Sequence, residues 1–97
     1  MTTNLRDSKD PAESVVLGFD FSSDLSSIDS VAVSISVYSG TDLAVAGVLS
    51  GAPQIAGAIV YHRVAGGVAG VRYKVRAVAT KGDDVIVRSG IFAVATE

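Results

Sequence analysis

Hydrophobic and polar side chains alternate with a period of two along most of this chain. The clearest example runs from Gly70 to Thr80, where every second residue is apolar or aromatic: Val71, Tyr73, Val75, Ala77 and Ala79. Three basic residues, Arg72, Lys74 and Arg76, lie between them. Because successive side chains of a strand point to opposite faces, this segment predicts a strand with one buried face and one basic, wet face.

The same alternation, broken by turn residues, recurs along the rest of the chain. It predicts strands over residues 14–21, 31–38, 58–64, 70–80 and 85–95, with one or two short edge strands within residues 43–54. Leu25 and Ile28, in the first turn, are expected to close the end of the core. No segment has a helical period. The pattern therefore predicts an all-β fold: an immunoglobulin/fibronectin type III-like β-sandwich of six or seven antiparallel strands.

The predicted strands carry several more specific expectations. Val15, Leu17, Phe19 and Phe21 share one face of the first strand, and Val31, Val33, Ile35 and Val37 share one face of the second. Within residues 58–64 the inward face stays open, because Ile59 and Tyr61 compete with Val60, His62 and Val64. Tyr73 follows a glycine turn, where such sandwiches place a tyrosine whose hydroxyl bonds to nearby backbone.

Two turn signals flank the last strand or lie within it. Lys81-Gly82-Asp83-Asp84 predicts a hairpin between the last two strands. Ser89-Gly90 interrupts the alternation between Val85/Val87 and Phe92/Val94, which predicts a β-bulge at that point.

The first thirteen residues do not follow the alternation. They are polar and charged, and Pro11 favours an extended conformation for Asp10 before it. We therefore expect a flexible N-terminal arm over residues 1–13 and a single sandwich domain over residues 14–97. The length of 97 residues suits one domain.

Composition excludes several classes of protein. An apolar content of 48% is too high for a disordered chain. The chain has no cysteine, so it has no disulfides and no thiolate metal site. The N-terminus lacks the apolar core of a signal peptide, and no apolar run is long enough for a membrane helix. We therefore expect folding in the cytoplasm and no membrane partner.

The two halves of the chain carry opposite net charges. Residues 1–49 hold seven acidic residues and two basic ones, whereas residues 50–97 hold six basic residues and three acidic ones. The halves either compensate each other within one molecule or leave a bipolar surface for docking on other copies. The net charge of −2 argues against nucleic acid as a partner.

Residue types that could support catalysis occur without the neighbours that catalysis needs. His62 is the only histidine, and no carboxylate flanks it. Asp83-Asp84 fits hairpin chemistry better than acid–base work. Gly66-Gly67 and Gly70 form a turn before a strand, and the segment has no phosphate-loop Lys-Ser/Thr. We expect no enzyme activity, no catalytic or metal site, no cofactor and no small-molecule substrate.

The basic row Arg72, Lys74 and Arg76 is the one feature with a functional alternative. Along a strand these charges lie about 7 Å apart. The row is either a solvated face that keeps the sheet soluble or a docking face for acidic groups on another protein. Nucleic acid fits less well, because no aromatic residues alternate with the bases to stack on nucleotides.

Two stretches together resemble a family of small bacteriophage and prophage virion proteins with an immunoglobulin-like sandwich. The first holds Lys9-Asp10-Pro11-Ala12-Glu13, Phe19-Asp20-Phe21-Ser22, Leu25 and Ile28-Asp29-Ser30; the second holds Val64-Ala65-Gly66-Gly67, Gly70-Val71-Arg72-Tyr73-Lys74-Val75, Thr80 and Gly82-Asp83. The resemblance leaves out residues 39–57. Phe21 stands where such chains often carry tryptophan.

The resemblance implies a non-enzymatic structural or assembly role at the head–tail neck, tail or capsid surface. The implied partners are other virion proteins, copies of this chain among them, and the implied location is the virion after assembly in the host bacterial cytoplasm. An immunoglobulin-like module that attaches to carbohydrate or a host cell surface is the alternative. That function typically requires exposed aromatic residues, and only Tyr38 and Tyr61 are expected to be available.

Overall fold

The structure, a computed structural model, describes residues 3–4 and 8–95, with side chains from Lys9 onward. The elements are β1 (Thr3–Asn4), β2 (Ser8–Lys9), β3 (Ser14–Asp20), β4 (Ser30–Ser39), the 3₁₀ turn η1 (Val45–Val48), β5 (Leu49–Ala56), β6 (Ile59–Ala65), β7 (Arg72–Lys81) and β8 (Asp84–Val94). Across the described residues, the regular structure is all-β apart from this single turn.

The strands form two sheets that face each other. The first sheet has the order β1-β3-β6-β5 and the second the order β2-β8-β7-β4. Each contains three long antiparallel strands and one strand of two residues, and β2 is parallel to β8. The all-β, sandwich-like architecture predicted from the alternation is therefore confirmed.

The core lies between the two sheets and is built from the predicted inward faces. Buried apolar side chains from both sheets and the first turn form one cluster: Leu17, Phe19, Phe21, Leu25, Ile28, Val48, Val60, Val64, Val71, Tyr73, Val75, Ala77, Ala79, Phe92 and Val94. The faces assigned to residues 14–21, 31–38 and 70–80 are confirmed, as are the positions of Leu25 and Ile28. Burial of this apolar surface is the main term that favours folding.

The structure decides the open choice in β6. Val60, His62 and Val64 point into the sandwich, whereas Tyr61 and Arg63 are exposed. Residues 43–54, where one or two short edge strands were predicted, contain η1 and most of β5, which pairs only with β6.

The predicted bulge at Ser89-Gly90 is wrong. β7 and β8 pair without a register shift from Arg72↔Ala93 to Lys81↔Asp84. Val85 and Val87 are 58% and 38% exposed, so they lie on the outer face, and Ile86 packs against the core instead.

Arg88 explains why the sequence pattern misled. Although charged, it lies on the inner face near the sandwich end, where its guanidinium pairs with Asp24 and lies 5.8 Å from the ring centroid of Phe21. Because the side chain has these partners, the strand keeps its phase through a polar position. The register shift in this sheet occurs instead between Val37 and Ser39 of β4.

The arm predicted over residues 1–13 lies only partly within the described residues, since 1–2 and 5–7 fall outside them. In its described part, β1 pairs with β3 and β2 pairs with β8. The Lys9 side chain is 1% exposed. Its Nζ donates hydrogen bonds to the carbonyl oxygens of Asp10, at 2.8 Å, and Gly66, at 2.6 Å.

Candidate protein-docking surface

The outer face of the second sheet carries the predicted basic row at its centre. Arg72, Lys74 and Arg76 are all exposed on β7, which is hydrogen-bonded on both sides. On the β4 side, Lys74 and Arg76 lie opposite the small residues Ser36 and Ser34. We call these three basic side chains the basic stripe. The alternation placed the stripe correctly; whether it docks a partner remains a prediction.

Exposed apolar side chains border the stripe. Val85, Val87 and Ile91 of β8 lie on the same outer face, with Ile91 directly opposite Lys74. Tyr38 of β4 is 57% exposed, and with Arg72, Ile91 and Ala93 it lines an open depression of ≈ 330 Å³. A row of basic side chains next to exposed apolar ones is more typical of a surface that contacts another protein than of a surface that is only solvated.

The basic stripe has no counter-charge among the residues that the structure describes. Within the described part of the chain, no ion pair or side-chain hydrogen bond involves any of its three members. Other bases of the C-terminal half do find acids of the N-terminal half: Lys81 pairs with Asp29 and Arg88 with Asp24. Between described residues, charge compensation of the two halves therefore occurs at Lys81–Asp29 and Arg88–Asp24 and does not extend to the stripe.

Tyr73 anchors the strand that carries the stripe. Its hydroxyl accepts a hydrogen bond from the Val68 N–H at 2.9 Å and donates one to Oδ2 of Asp42 at 2.6 Å, as the sequence predicted for the backbone contact. Its ring stacks on Phe92 with 5.4 Å between centroids. Burial, and then the hydrogen bond to the Asp42 carboxylate, raises the pKa of the Tyr73 hydroxyl. The strand that carries the basic stripe is therefore fixed on its inner face by the hydrogen bonds and the ring stacking of Tyr73.

Gly67 is required beside this tyrosine. Its φ of +96° lies in a region that other residues rarely adopt. An added Cβ would come within 2.8 Å of Cγ2 of Val94 and 3.4 Å of the Tyr73 hydroxyl oxygen. The glycine at this turn therefore has a packing reason.

Sequence reasoning missed the structural role of the Lys-Asp-Pro segment. Beyond the buried Lys9, the Asp10 N–H donates to Oε1 of Glu13 at 2.8 Å and the Ala12 N–H donates to Oδ1 of Asp10 at 2.8 Å. The spacing of Asp10 and Glu13 is the local signal that could have revealed this turn, because a residue three positions on can return a bond to the backbone. A turn of this kind joins the N-terminal strands to the sandwich.

The residues considered for catalysis do not assemble into a site. His62 is buried, and its Nδ1 lies 2.9 Å from the Arg63 carbonyl, which can only accept, so Nδ1 carries the proton. Asp83 and Asp84 are exposed at the hairpin. Among the residues the structure describes, no three His, Cys, Asp or Glu side chains cluster as metal ligands, and no helix has the length and hydrophobicity to span a membrane.

Comparison with known proteins identifies the family. Residues 9–92 match the family described as podophage GP4 fiber-tail adaptor protein gp77. No curated protein and no solved structure matches the chain. The matched span contains the buried Lys9, all six long strands except the end of β8, and the whole basic stripe. The chain therefore belongs to the podophage GP4 fiber-tail adaptor protein gp77 family and is a phage virion structural protein.

Proposed function

We propose that this chain is an adaptor that joins fibres to the tail of a podophage virion through non-enzymatic protein–protein contacts. The observation that carries the proposal, beyond family membership, is the basic stripe: three positive charges on an exposed sheet face that have no ion-pair partner among the described residues. In this proposal the outer face of the second sheet is a docking face for an acidic surface of another virion protein.

The physical argument rests on orientation and charge. Exposed charges in complementary rows mainly speed association and fix register, while the apolar contacts around them supply binding energy. The stripe supplies the charges, and Tyr38, Val87 and Ile91 supply apolar area next to it. An adaptor needs such an oriented contact, because it must hold two other components in a set geometry.

We also propose that the sandwich is of the immunoglobulin type. Named A to G in chain order, the long strands β3 to β8 correspond to B, C, D, E, F and G, with β1 as A. The two sheets then read A-B-E-D and C-F-G, which is the constant-type order. The hydrogen bond of Tyr73, near the start of strand F, to backbone upstream supports the same assignment.

The alternative function, attachment to carbohydrate or a host surface, has less support. Tyr38 lies at the edge strand of the second sheet, whereas Tyr61 lies on the outer face of the first. These two exposed rings do not share a surface on which a sugar could stack. The chain is therefore proposed to act within the virion, after assembly in the host cytoplasm.

The proposal is tested in a phage whose copy of this chain is deleted and supplied in trans. Virions assembled with the wild-type chain should carry fibres, and virions assembled without it should lack them, as counted by negative-stain electron microscopy. Fully fibred particles in the absence of the chain would overturn the adaptor function.

Charge reversal then tests the docking face. Lys74→Glu and the triple reversal of the stripe should reduce fibre occupancy, and the triple variant should reduce it more. Arg63→Glu is the matched control, because Arg63 is an exposed base on the outer face of the central strand of the other sheet. If the two single variants behave alike while both proteins stay folded, the stripe is not the docking face.

A further inference from the structure

The edge strand β4 differs from every other sheet edge in the described part of the chain. Edge strands expose unpaired backbone N–H and C=O groups, and proteins usually protect them with charge, proline, irregularity or a covering segment. β4 runs for ten residues from Ser30 to Ser39 without a charged residue, a proline or a glycine. Its one irregularity, the register shift between Val37 and Ser39, lies at its C-terminal end, so residues 30–37 have none of these protecting features.

The other edges each carry at least one such device. β5 contains Gly51, Pro53 and a register shift between Ser50 and Gln54. β8 points the charged Arg88 inward and is paired with β2 at its far end. β3 is paired with β1 at Gly18 and Phe19. Since the other three edges are protected against strand addition, the unprotected edge of β4 is a candidate site for it.

Hydrogen bonding and burial indicate that the outer backbone edge of β4 has no partner strand among the described residues. β4 lies near η1 and β5, but none of the hydrogen bonds between described residues reaches it from any segment other than β7. Its inward side chains, Val31, Val33, Ile35 and Val37, are only half-buried, although they pack against the core. A row of half-buried β-branched residues beside an unpaired backbone is the surface that an added strand would cover.

The charge beside this edge indicates what the added strand carries. An additional strand would lie about 10 Å from β7, two strand spacings away. The β4 side chains between them on the outer face are Ser34 and Ser36, which are small and uncharged. The long side chains of Lys74 and Arg76 can therefore reach across β4 toward the outward side chains of the newcomer, where acidic residues would meet them.

A second copy of this chain fits less well as the occupant. If two β4 strands paired with each other, each would place serine, alanine and tyrosine beside the partner's basic side chains, and no carboxylate. Such pairing would bring the two stripes closer without compensation. Charge complementarity thus favours a different protein segment.

We propose that β4 accepts an extended segment of another virion protein as an additional strand, with apolar residues facing the sandwich and acidic residues facing the basic stripe. This inference rests on the proposed function in that the segment would belong to a fibre or tail component. It adds the binding mode and the chemistry of the partner: main-chain hydrogen bonds for affinity, and alternating apolar and acidic side chains for specificity.

Three synthetic ten-residue peptides, capped at both ends, test the proposal on the purified full chain. One alternates valine with glutamate, one alternates valine with lysine, and one alternates glycine with glutamate. Binding is followed by NMR titration, and the contact is mapped by amide hydrogen exchange. The valine–glutamate peptide should bind saturably and slow the exchange of β4 amides by about tenfold or more.

The two control peptides separate strand addition from simple charge attraction. Replacing glutamate with lysine should weaken binding by about tenfold, because the exposed charge pairs with the stripe become repulsive. Replacing valine with glycine should also weaken it, since strand propensity and apolar cover are lost. Equal binding of the valine–lysine peptide would overturn the acidic partner, and equal binding of the glycine–glutamate peptide would overturn strand addition.

Two variants of the chain locate the site. Val33→Lys places a charge on the inward side of β4 and should abolish peptide binding, whereas Ser34→Lys, on the outward side of the next position, should not weaken it. Because Val33→Lys could unfold the sandwich, the exchange map of the wild-type chain decides independently. Protection at β5 or β8 in place of β4 overturns the proposal.

Self-association is the remaining outcome that counts against it. If sedimentation shows a dimer without peptide, and the β4 amides are already protected in that dimer, the occupant is a second copy and the acidic segment is wrong. Failure of the proposal is distinguishable from failure of the adaptor function. If only strand addition at β4 fails, the chain would bind no peptide there, yet fibre attachment to virions would still depend on Lys74.

Discussion

β4 and β7 lie side by side in one sheet, yet they differ in the burial and the charge of their side chains. They pair from Ser30↔Thr80 to Ser39↔Arg72 with a single register shift. The inward side chains of β7 are fully buried, and its outward face carries the basic stripe. The inward side chains of β4 are half-buried, and its outward side chains are uncharged and, except for Tyr38, small.

The difference follows from position in the sheet. β7 has a neighbour on each side, so its core side chains are enclosed and its backbone is satisfied. Among the described residues, β4 has a neighbouring strand on one side only, so it contributes less buried area. Stability is therefore expected to concentrate in β7.

The largest effect that tests this comparison comes from the same deletion made in each strand. Val75→Ala should lower the free energy of unfolding by about 2–3 kcal/mol, because it removes two methyl groups and leaves a cavity in an enclosed site. Val33→Ala should cost about 1 kcal/mol or less, since Val33 is already partly in water. Urea unfolding of both variants measures the difference, and equal losses would contradict it.

An intermediate effect is expected from removing one hydroxyl in each strand. Tyr73→Phe removes the hydrogen-bond partner of the Val68 N–H and of Asp42 Oδ2, although Asp42 Oδ1 still accepts from the Ala44 N–H, and it should cost about 1–3 kcal/mol. Tyr38→Phe, at an exposed position of β4, should stay within about 0.5 kcal/mol. Thermal unfolding monitored by circular dichroism compares the two.

Alkaline pH sharpens the same test. The pKa of Tyr73 is raised in the folded protein above its ordinary value of 10.0. Its contribution to stability is therefore full below that value and is lost as pH rises through the folded pKa, since the unfolded chain ionises first. The alkaline loss of stability should be smaller in Tyr73→Phe than in the wild type; an unchanged alkaline loss in Tyr73→Phe would argue against this role.

The smallest effect concerns the contact that ties the ends of the two strands together. Asp29, just before β4, accepts hydrogen bonds from the Gly82 N–H at 3.0 Å, in the turn after β7, and from Nζ of Lys81, the last residue of β7, at 3.3 Å. These bonds, that of Gly82 first, lower the pKa of Asp29 below its ordinary value of 3.8. Asp29→Asn should reduce stability at neutral pH by less than Val75→Ala or Tyr73→Phe does.

The pH dependence gives this last prediction its control. A carboxylate with a lowered folded pKa contributes stability above its ordinary pKa and loses it as pH falls through the folded value. The difference in melting temperature between wild type and Asp29→Asn should therefore shrink on acidification. A difference that stays constant down to acid pH would show that the carboxylate charge is not responsible.

Several features of the fold could be read from the alternation, and the failures share one cause. The inward faces of the segments 14–21, 31–38 and 70–80 were predicted correctly, because each is an unbroken run of apolar residues at every second position. The last strand was misread at Arg88 and Ser89-Gly90, because a charged inward residue looks like a change of phase until Asp24 is known to lie beside it. Lys9 was missed for the same reason, since its carbonyl partner at Gly66 is distant in sequence.

The sequence by itself determined the all-β class, the hairpin at Gly82-Asp83, the tyrosine contact and the outward position of the basic stripe. Each of these depends on local alternation or on turn chemistry within a few residues. Only the tertiary structure decided which bases are neutralised, why Lys9 can be buried, and which edge strand is open. Those properties depend on neighbours that are far apart along the chain and meet only when the two sheets form, so no local pattern records them.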